Sequence, residues 1–262
     1  MKNWFIIITY SPDYNQIESL VKALYGQKVV IIDNSPGPKN VLRGLRKYTG
    51  VNLIRINKEN LGYGGTANVG IRYALGRGVE WVVVMNDDLI LDSKLATKFI
   101  NIIKEIPPCI AGPSVGGLDK CRWTTIYPSK KVDYINGAFF AIHRQVVDKI
   151  GFFYAPFFLY YEEVDYCLRA KRAGFPLVHT PLIGIAHKGS ATVGQRSFLH
   201  QYYLARNHLL FLERQAPWSV KLYELVRLPK TIWEHYRKKE WGGLAGIRDY
   251  FLRRFGQYRE KL

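Results

Sequence analysis

The sequence predicts an α/β protein in which a mostly parallel β-sheet is flanked by helices. Over the first hundred residues, short apolar runs typical of buried strands alternate with segments whose apolar residues recur at helical spacing. Three of the predicted strands end in polar residues, which brings those residues to one edge of the sheet. Open α/β sheets bind their ligands at that edge. The 262 residues suffice for one large domain with a short appendage.

The predicted elements alternate regularly at first and become irregular after residue 107. Strands are expected at residues 4–9, 28–32, 52–56 and 81–85. Helices are expected at residues 14–25, 41–48, 67–75 and 93–105, the last of them capped by Asp92. Further short strands are expected around residues 133–142, 176–180 and 183–186. One more helix is expected at residues 163–173, closed by Gly174.

We expect a main domain at residues 1–212 and a basic amphipathic helical extension at residues 213–262. Residues 216–262 carry eleven Lys and Arg against five Asp and Glu, and their apolar side chains fall on one face of two helices. These faces either dock on the main domain or lie on an anionic membrane surface. In the second case the membrane anchors would be Trp233, Trp241 and Phe255.

The composition excludes several classes of protein. With 48% apolar and 14% aromatic residues, the chain is not intrinsically disordered. Three cysteines without a C-x-x-C pair indicate a reducing compartment. Because we find neither a signal peptide nor an apolar run of membrane-spanning length, we expect a cytoplasmic protein. The net charge of +17 favours a polyanionic partner, which could be nucleic acid, anionic lipid or a phosphorylated substrate.

Asn86-Asp87-Asp88 is the first candidate site, directly after four apolar residues of a predicted strand. Adjacent carboxylates repel one another unless a cation or a donor is present, and divalent ions bind carboxylates while leaving positions open for substrate phosphates. A solvated turn that leads into the next helix is the alternative. His187 becomes a metal-ligand candidate only if it lies near Asp88, since imidazole joins carboxylates around ions such as Mn²⁺.

Glu162, Glu163 and Asp165 form a second acidic cluster, after an aromatic stretch. Burial and like charge should raise the pKa of one of these carboxyl groups, as a general base near neutral pH requires. An acid-rich helix N-terminus, favoured by the helix dipole, is an equally good interpretation.

A glycine-rich segment at residues 62–70 contains the pattern G-x-G-x-x-A. A dinucleotide-binding fingerprint should follow its strand at once, whereas residues 57–61 intervene here. We therefore reject that interpretation and expect a loop and helix N-terminus whose backbone lets a phosphorylated ligand approach closely.

Taken together and in order, these segments resemble family 2 glycosyltransferases with the GT-A fold, and in particular their bacterial and archaeal rhamnosyltransferase-like branch. The resemblance covers about residues 3–210, which places the GT-A domain at residues 1–212. The matching segments are Thr9-Tyr10, Asp33-Asn34-Ser35, residues 60–70, Asn86-Asp87-Asp88, Asn136-Gly137-Ala138, residues 157–169 and His187.

The resemblance implies a role for each matching residue. The nucleotide base would be held by Thr9, Tyr10 and Asp33. The donor ribose and sugar would be lined by Asn60, Gly64 and Asn68. The metal motif would be formed by Asp87 and Asp88, with Asp88 and His187 as ligands of Mg²⁺ or Mn²⁺. The pocket for the donor sugar and the acceptor would be shaped by Asn136, Gly137 and Ala138.

The resemblance also implies a single displacement with inversion, in which Glu163 takes the proton from the attacking acceptor hydroxyl. Glu162 and Asp165 would support this base, and Arg169 would pair with a carboxylate. The family usually has Asp at position 163, so Glu162 and Asp165 remain alternative bases. Asn86 stands where many members have Asp, which would weaken metal binding. Charge on the departing diphosphate would be offset by the ion on Asp88 and His187, with help from Arg196 or Arg206, although a structural role in a helix fits Arg206 equally well.

The resemblance implies a dTDP- or UDP-linked donor and a glycan or lipid-linked acceptor, in cell-surface polysaccharide or glycoconjugate synthesis. The enzyme would then be cytoplasmic or peripheral on the inner face of the membrane. One alternative is a nucleotidyltransferase, which would release pyrophosphate. The other is a non-catalytic polyanion-binding protein, but the aromatic residues lie in apolar runs and are not interleaved with Lys and Arg, which disfavours nucleic acid. The sequence leaves the oligomeric state open.

Overall fold

A seven-stranded, mostly parallel sheet forms the centre of the protein. The structure, a computed structural model, describes residues 2–35, 40–56, 59–181, 186–187 and 197–259. The strands in chain order are β1 (Asn3–Thr9), β2 (Lys28–Asp33), β3 (Val51–Ile56), β4 (Trp81–Asn86), β5 (Leu89–Ile90), β6 (Ile110–Gly112), β7 (Val115–Leu118), β8 (Thr125–Ile126), β9 (Tyr134–Ile135), β10 (Phe139–His143), β11 (Leu177–His179) and β12 (Ala186–His187). The central sheet has the order β11-β6-β10-β4-β1-β2-β3, and β10 runs antiparallel to both of its neighbours.

Helices cover both faces of this sheet. They are α1 (Tyr14–Ala23), α2 (Gly62–Leu75), α3 (Ser93–Glu105), α4 (Arg144–Ile150), α5 (Glu162–Arg172), α6 (Phe198–Gln215), α7 (Trp218–Arg237) and α8 (Trp241–Phe251). Short 3₁₀ helices occupy Asn40–Lys47 and Ala155–Phe157. None of the described helices combines the length and the hydropathy that a membrane span requires.

The central strands are continuous apolar runs because both of their faces are buried. Along β1, Ile6 and Ile8 pack with α2 and α5, whereas Phe5 and Ile7 pack with α1 and α3. The parallel register aligns Thr9 with Asp33 and Ile8 with Asn86, so β1, β2 and β4 end side by side. The polar residues that follow these strands therefore share one edge of the sheet, as predicted.

The predicted helix bounds hold best where polar caps mark them. Residues 93–105 form α3 as predicted, and the Asp92 side chain accepts a hydrogen bond from Leu95 N at 2.7 Å. The helix predicted at residues 41–48 is a 3₁₀ helix, Asn40–Lys47. The helix predicted at residues 67–75 begins earlier, at Gly62, where the backbone passes so close to the Phe158 carbonyl that a side chain would collide with it. Glycine permits this close approach.

The extension divides into a docked helix and an exposed one. α8 packs closely on α6, where a side chain at Gly246 would collide with the Tyr202 carbonyl. α7 is held by an ion pair of 2.6 Å between Glu224 Oε1 and the Nε of Arg122, which lies between β7 and β8. Most of the apolar side chains of α7 face solvent. Residue 212, after which the sequence predicts the domain boundary, lies inside α6.

Candidate active site

A cavity of about 820 Å³ opens where β1, β2 and β4 end, beside the start of α5. This volume lies in the range of small-molecule sites in proteins. Ten of the predicted site residues line it: Thr9, Tyr10, Asn60, Asp87, Asp88, Asn136, Gly137, Ala138, Glu162 and Glu163. A second, more open depression runs along α3 and contains none of the predicted site residues.

Asp33 lies fully buried beside Thr9, which lines the cavity, although Asp33 itself does not line it. Its Oδ1 accepts hydrogen bonds from Thr9 Oγ1 at 3.0 Å and from the backbone N of Ser35 at 2.9 Å. Its Oδ2 is also buried and has no hydrogen-bond partner among the described residues. A buried carboxylate oxygen without a donor costs folding free energy, so this oxygen is suited to accept an N–H from a ligand.

Asn34 and Asn60 shape the entry to α2. Asn34 Nδ2 donates to Asn60 Oδ1 at 2.6 Å, and Asn34 Oδ1 accepts from Leu61 N at 2.8 Å. Asn60 Oδ1 also accepts from Gly62 N at 2.9 Å. These bonds fix the glycine-rich segment against the cavity, and the segment opens a helix as predicted.

Two of the predicted donor-binding residues lie behind the cavity wall. Gly64 is buried against Phe153 and Glu162. The side-chain amide of Asn68 bonds both the N and the O of Phe153, each at 2.9 Å. Neither Gly64 nor Asn68 lines the cavity. Their contacts make them supports of the 3₁₀ turn that leads to α5.

Asp87 and Asp88 follow β4 and face the cavity. Burial and the neighbouring Asp88 carboxylate raise the pKa of Asp87 to about 7. A cation would relieve this repulsion. The backbone of His187 pairs with Leu89, the residue after Asp88, so the structure brings the predicted metal-ligand positions together at the level of the backbone. Among the described residues, no three His, Cys, Asp or Glu side chains lie close enough together to hold a metal ion by themselves.

The loop at residues 136–138 is fixed against the end of β4. Asn136 Oδ1 accepts from Ala138 N at 2.9 Å, and Ala138 O accepts from Asn86 N at 3.0 Å. The Tyr63 hydroxyl donates to the Gly137 carbonyl. The loop thus forms a rigid side of the cavity, next to the Asp87-Asp88 pair.

Glu162 and Glu163 begin α5 after an unusual turn. Phe158, Tyr160 and Tyr161 all have left-handed backbone conformations, with φ of 67°, 69° and 73°. Burial raises the pKa of Glu163 to about 7, and burial together with the Glu163 charge holds the pKa of Glu162 well above its ordinary value. Glu163 is partly exposed, whereas Glu162 is only 3% exposed. General base catalysis requires a carboxyl group whose pKa lies near neutral pH.

Residues 4–169 of this chain match the family model of glycosyl transferase family 2. The chain belongs to this family. It is 26% identical to the low-salt glycan biosynthesis hexosyltransferase Agl10 of Haloferax volcanii, over 78% of this chain and 73% of that protein. It is 27% identical to the dTDP-rhamnosyl transferase RfbF of Shigella flexneri, over 84% of this chain and 83% of that protein. The family predicted from the sequence is therefore confirmed, and the chain is a glycosyltransferase.

Solved glycosyltransferase structures confirm the predicted GT-A fold. The mannosyltransferase PcManGT from Pyrobaculum calidifontis, in complex with GDP-Man and Mn²⁺, superposes with a TM-score of 0.60 at 12% identity, covering 95% of this chain and 87% of that one. S. aureus TarS 1-349 in complex with UDP-GlcNAc has a TM-score of 0.57 at 15% identity, covering 95% of this chain and 80% of that one.

Asp165 of this glycosyltransferase lies outside the cavity. It is fully buried, and its carboxylate accepts from Arg169 Nε at 2.9 Å, Arg214 Nε at 3.0 Å and the Gln215 amide. The predicted pairing of Arg169 with a carboxylate is confirmed. These contacts join α5 to α6, so Asp165 supports the helix that carries Glu163 and does not face the cavity itself.

Arg206 does not face the cavity either, and its predicted role at the diphosphate is wrong. The side chain is fully buried, and its guanidinium donates to the carbonyls of Phe157 at 2.8 Å and Gly256 at 2.7 Å. Because the guanidinium already donates to backbone carbonyls, Arg206 has the alternative, structural role. Arg196, the other candidate, lies outside the described residues.

The part of the chain after residue 197 contributes five residues to the cavity, none of them predicted as a site residue: Phe198, Leu199, Tyr203, Gln257 and Tyr258. They come from the start of α6 and from the segment after α8. The density of aromatic residues at positions 198–203 and 250–258 was a signal for them. Helical spacing alone, however, assigns such residues to a packed face.

Proposed function

We propose that this glycosyltransferase moves a sugar from a dTDP- or UDP-linked donor to a hydroxyl of a glycan or lipid-linked acceptor, with inversion at the anomeric carbon. The proposal depends on one observation: a single cavity gathers the Asp87-Asp88 pair and the Glu163 carboxyl group, whose pKa is about 7. We place the reaction in the synthesis of cell-surface polysaccharide or glycoconjugate, because the names of RfbF and Agl10 describe rhamnosyl transfer and glycan biosynthesis.

The donor nucleotide would lie against the ends of β1 and β2. Asp33 Oδ2 is a buried acceptor, and the ring N–H of thymine or uracil is a donor that would satisfy it. Thr9, Tyr10 and Asn60 line the adjacent cavity surface and would contact the base and ribose. The dTDP donor in the name of RfbF and the UDP-GlcNAc bound to TarS support both pyrimidine nucleotides as candidates.

Asp88 and His187 would hold a Mg²⁺ or Mn²⁺ ion, with Asp87 beside them. When bound, such an ion offsets the negative charge that develops on the departing diphosphate. The raised pKa of Asp87 and the pairing of His187 with Leu89 support this placement. The Mn²⁺ in the PcManGT structure supports the choice of metal.

Glu163 would act as the general base. Its carboxylate takes the proton of the acceptor hydroxyl while that oxygen forms a bond to the anomeric carbon, and the bond from this carbon to the diphosphate breaks. The backbone of the 136–138 loop would orient the donor sugar. Glu162 lies beside this base, and burial together with the Glu163 charge raises its pKa, which favours the neutral carboxyl group.

A thermal-shift screen tests the proposed donor site. UDP or dTDP with Mn²⁺ or Mg²⁺ should stabilise the fold by about 2.7 kcal/mol at one hundred times Kd, or several degrees in Tm. Asp88→Asn should remove the metal-dependent part of the shift, whereas Asp148→Asn, an exposed position on α4, should leave it intact. If folded protein shows no shift with any nucleoside diphosphate, the donor site is wrongly assigned.

We further propose that α7 binds an anionic membrane surface at the cytoplasmic face. Several of its apolar side chains are among the most exposed of the described residues, with Trp218 at 83% and Val226 at 74%. Cationic residues accompany them, since Lys221 lies over the Trp218 ring and Arg237 over the Trp233 ring. An exposed apolar face flanked by Lys and Arg is the pattern of interfacial helices.

Vesicle co-sedimentation tests this membrane proposal. The protein should bind vesicles that contain phosphatidylglycerol at low salt and be released by high salt, because surface charge is screened. Leu225→Glu combined with Val226→Glu should abolish binding. Tyr25→Glu, which changes an equally exposed apolar side chain near α1, should not. Equal binding by both variants would contradict a membrane role for α7.

A further inference from the structure

One wall of the cavity is aromatic and has no part in the donor binding, metal binding or base catalysis proposed above. This wall is formed by the start of α6, by the turn before α5 and by the tail, which we define as residues 252–258. Its residues are Phe158, Leu159, Tyr160, Phe198, Leu199, Tyr203, Gln257 and Tyr258. The opposite part of the cavity, at the strand ends, is lined by polar and acidic side chains such as Asn60, Asp87 and Asp88.

We propose that the aromatic wall, with Tyr258 and Gln257 of the tail, binds the reacting sugar of the acceptor, and that this sugar is a neutral pyranose. The inference rests on the proposed glycosyl transfer to a hydroxyl acceptor. It adds the class of acceptor sugar and assigns a binding role to the chain's last described segment.

The tail is a fixed part of the wall. Gly256 O accepts from Arg206 Nη1 at 2.7 Å, and Gly256 N donates to Pro156 O at 2.9 Å. Tyr258 N donates to the Tyr203 hydroxyl at 2.8 Å. The Tyr258 ring packs on Tyr202 and Phe198, with centroid distances of 4.6 Å and 5.3 Å. A binding residue held in this way loses little conformational entropy when a ligand arrives.

The wall also exposes apolar surface that a ligand would cover. Phe198 and Leu199 are 40% and 39% exposed although they line the cavity. Phe158 stacks on Tyr203 with a centroid distance of 5.2 Å, which fixes the ring surface beneath the opening. A pyranose ring presents a flat array of C–H groups that matches an aromatic face, while its hydroxyls can bond a nearby amide such as that of Gln257.

The position of the wall relative to Glu163 favours an acceptor sugar over a second donor. The turn that carries Phe158 and Tyr160 runs directly into Glu162 and Glu163, so a sugar on this wall lies next to the base. Among the described residues, the wall contains no cationic side chain. An anionic sugar would therefore meet the Glu163 carboxylate without compensation, which makes a neutral sugar the better fit.

Binding of octyl glycosides to the protein saturated with its nucleoside diphosphate tests the inference. The panel contains the neutral octyl glucoside, galactoside and N-acetylglucosaminide, with octyl glucuronide as the charged counterpart, and is read by saturation-transfer NMR and titration. At least one neutral pyranoside should bind, and it should bind at least about tenfold more tightly than the glucuronide, about 1.4 kcal/mol. Failure of every neutral pyranoside to bind, or equal binding of the glucuronide, overturns the inference.

Variants of the tail complete the test. Tyr258→Ala should weaken binding of the neutral pyranoside about tenfold and Tyr258→Phe less than about twofold, because the ring is the contact. Gln257→Ala changes an exposed side chain, so it should fold normally and weaken binding a few fold. Tyr236→Ala, on the exposed face of α7, is the matched control and should have no effect.

The tail variants should leave the thermal shift by the nucleoside diphosphate unchanged, because the proposed donor site lies at the strand ends on the opposite part of the cavity. A wild-type protein that binds no nucleotide would overturn the proposed function itself. Normal nucleotide binding with unchanged pyranoside affinity in both Tyr258→Ala and Gln257→Ala would overturn the tail's role alone.

Discussion

Replacing Glu163 by Gln is expected to lower kcat for sugar transfer by about 10²–10⁴-fold, the usual contribution of a general base. The amide has nearly the same shape as the carboxyl group but cannot accept the proton of the acceptor hydroxyl. Binding of the nucleoside diphosphate should not change, because the proposed donor site lies at the ends of β1, β2 and β4. Release of nucleoside diphosphate with acceptor present measures the first effect, and titration calorimetry measures the second.

Glu162→Gln is the matched control for this prediction. Burial and the Glu163 charge hold the pKa of Glu162 well above its ordinary value, which favours the neutral form of its carboxyl group. The Gln amide resembles that neutral form, so kcat should fall by less than about tenfold, which is less than the loss of a general base causes. A large loss in Glu162→Gln with a small loss in Glu163→Gln would reverse the two roles.

The pH profile gives an independent reading of the same base. Glu163 must be deprotonated to accept a proton, and its pKa is about 7. The value of kcat/KM should therefore fall as the pH drops below about 7 and level off above it. The residual activity of Glu163→Gln should not fall in this way at low pH. This result would assign the pH dependence to Glu163 and not to Asp87, whose pKa is also about 7. A fall that persists in the variant would assign the titration to another group.

The sequence was informative wherever a function depends on residues close together in the chain. Buried strands are recognisable from apolar runs such as residues 81–85, and the polar residues that follow them must meet at one edge of a parallel sheet. This reasoning placed Thr9, Asp33 and Asp87 in one region, and the register of β1 with β2 and β4 agrees with it.

The sequence was least informative about contacts between distant segments. The aromatic wall joins the turn at residues 157–161 to α6, and α6 to the tail, across about fifty positions each time. Periodicity identifies the buried face of a helix but not the partner of that face, so Arg206 could equally have faced a diphosphate. The start of α2 at Gly62 could not be predicted either, because the backbone there lies against Phe158, which is distant in the sequence.

The largest stability effect is expected at Asn207, the neighbour of Arg206 on α6. Its Nδ2 donates to the carbonyls of Phe157 at 2.7 Å, Leu159 at 2.6 Å and Tyr160 at 3.1 Å, and its side chain is fully buried. Two of the residues in this turn, Phe158 and Tyr160, are non-glycine residues with positive φ, a conformation that persists only when surrounding contacts enforce it.

Asn207→Ala should therefore lower the free energy of unfolding by about 3 kcal/mol, because the carbonyls of Leu159 and Tyr160 lose this donor, whereas the Phe157 carbonyl keeps its bond from Arg206. Urea denaturation measures this loss. Asn101→Ala, at an exposed position on α3, should change it by less than about 0.5 kcal/mol. Where both variants remain folded, Asn207→Ala should also lower kcat while nucleotide affinity stays normal, because the turn sets the position of Glu163. Unchanged stability and kcat in Asn207→Ala would mean that the turn holds its conformation without this clamp.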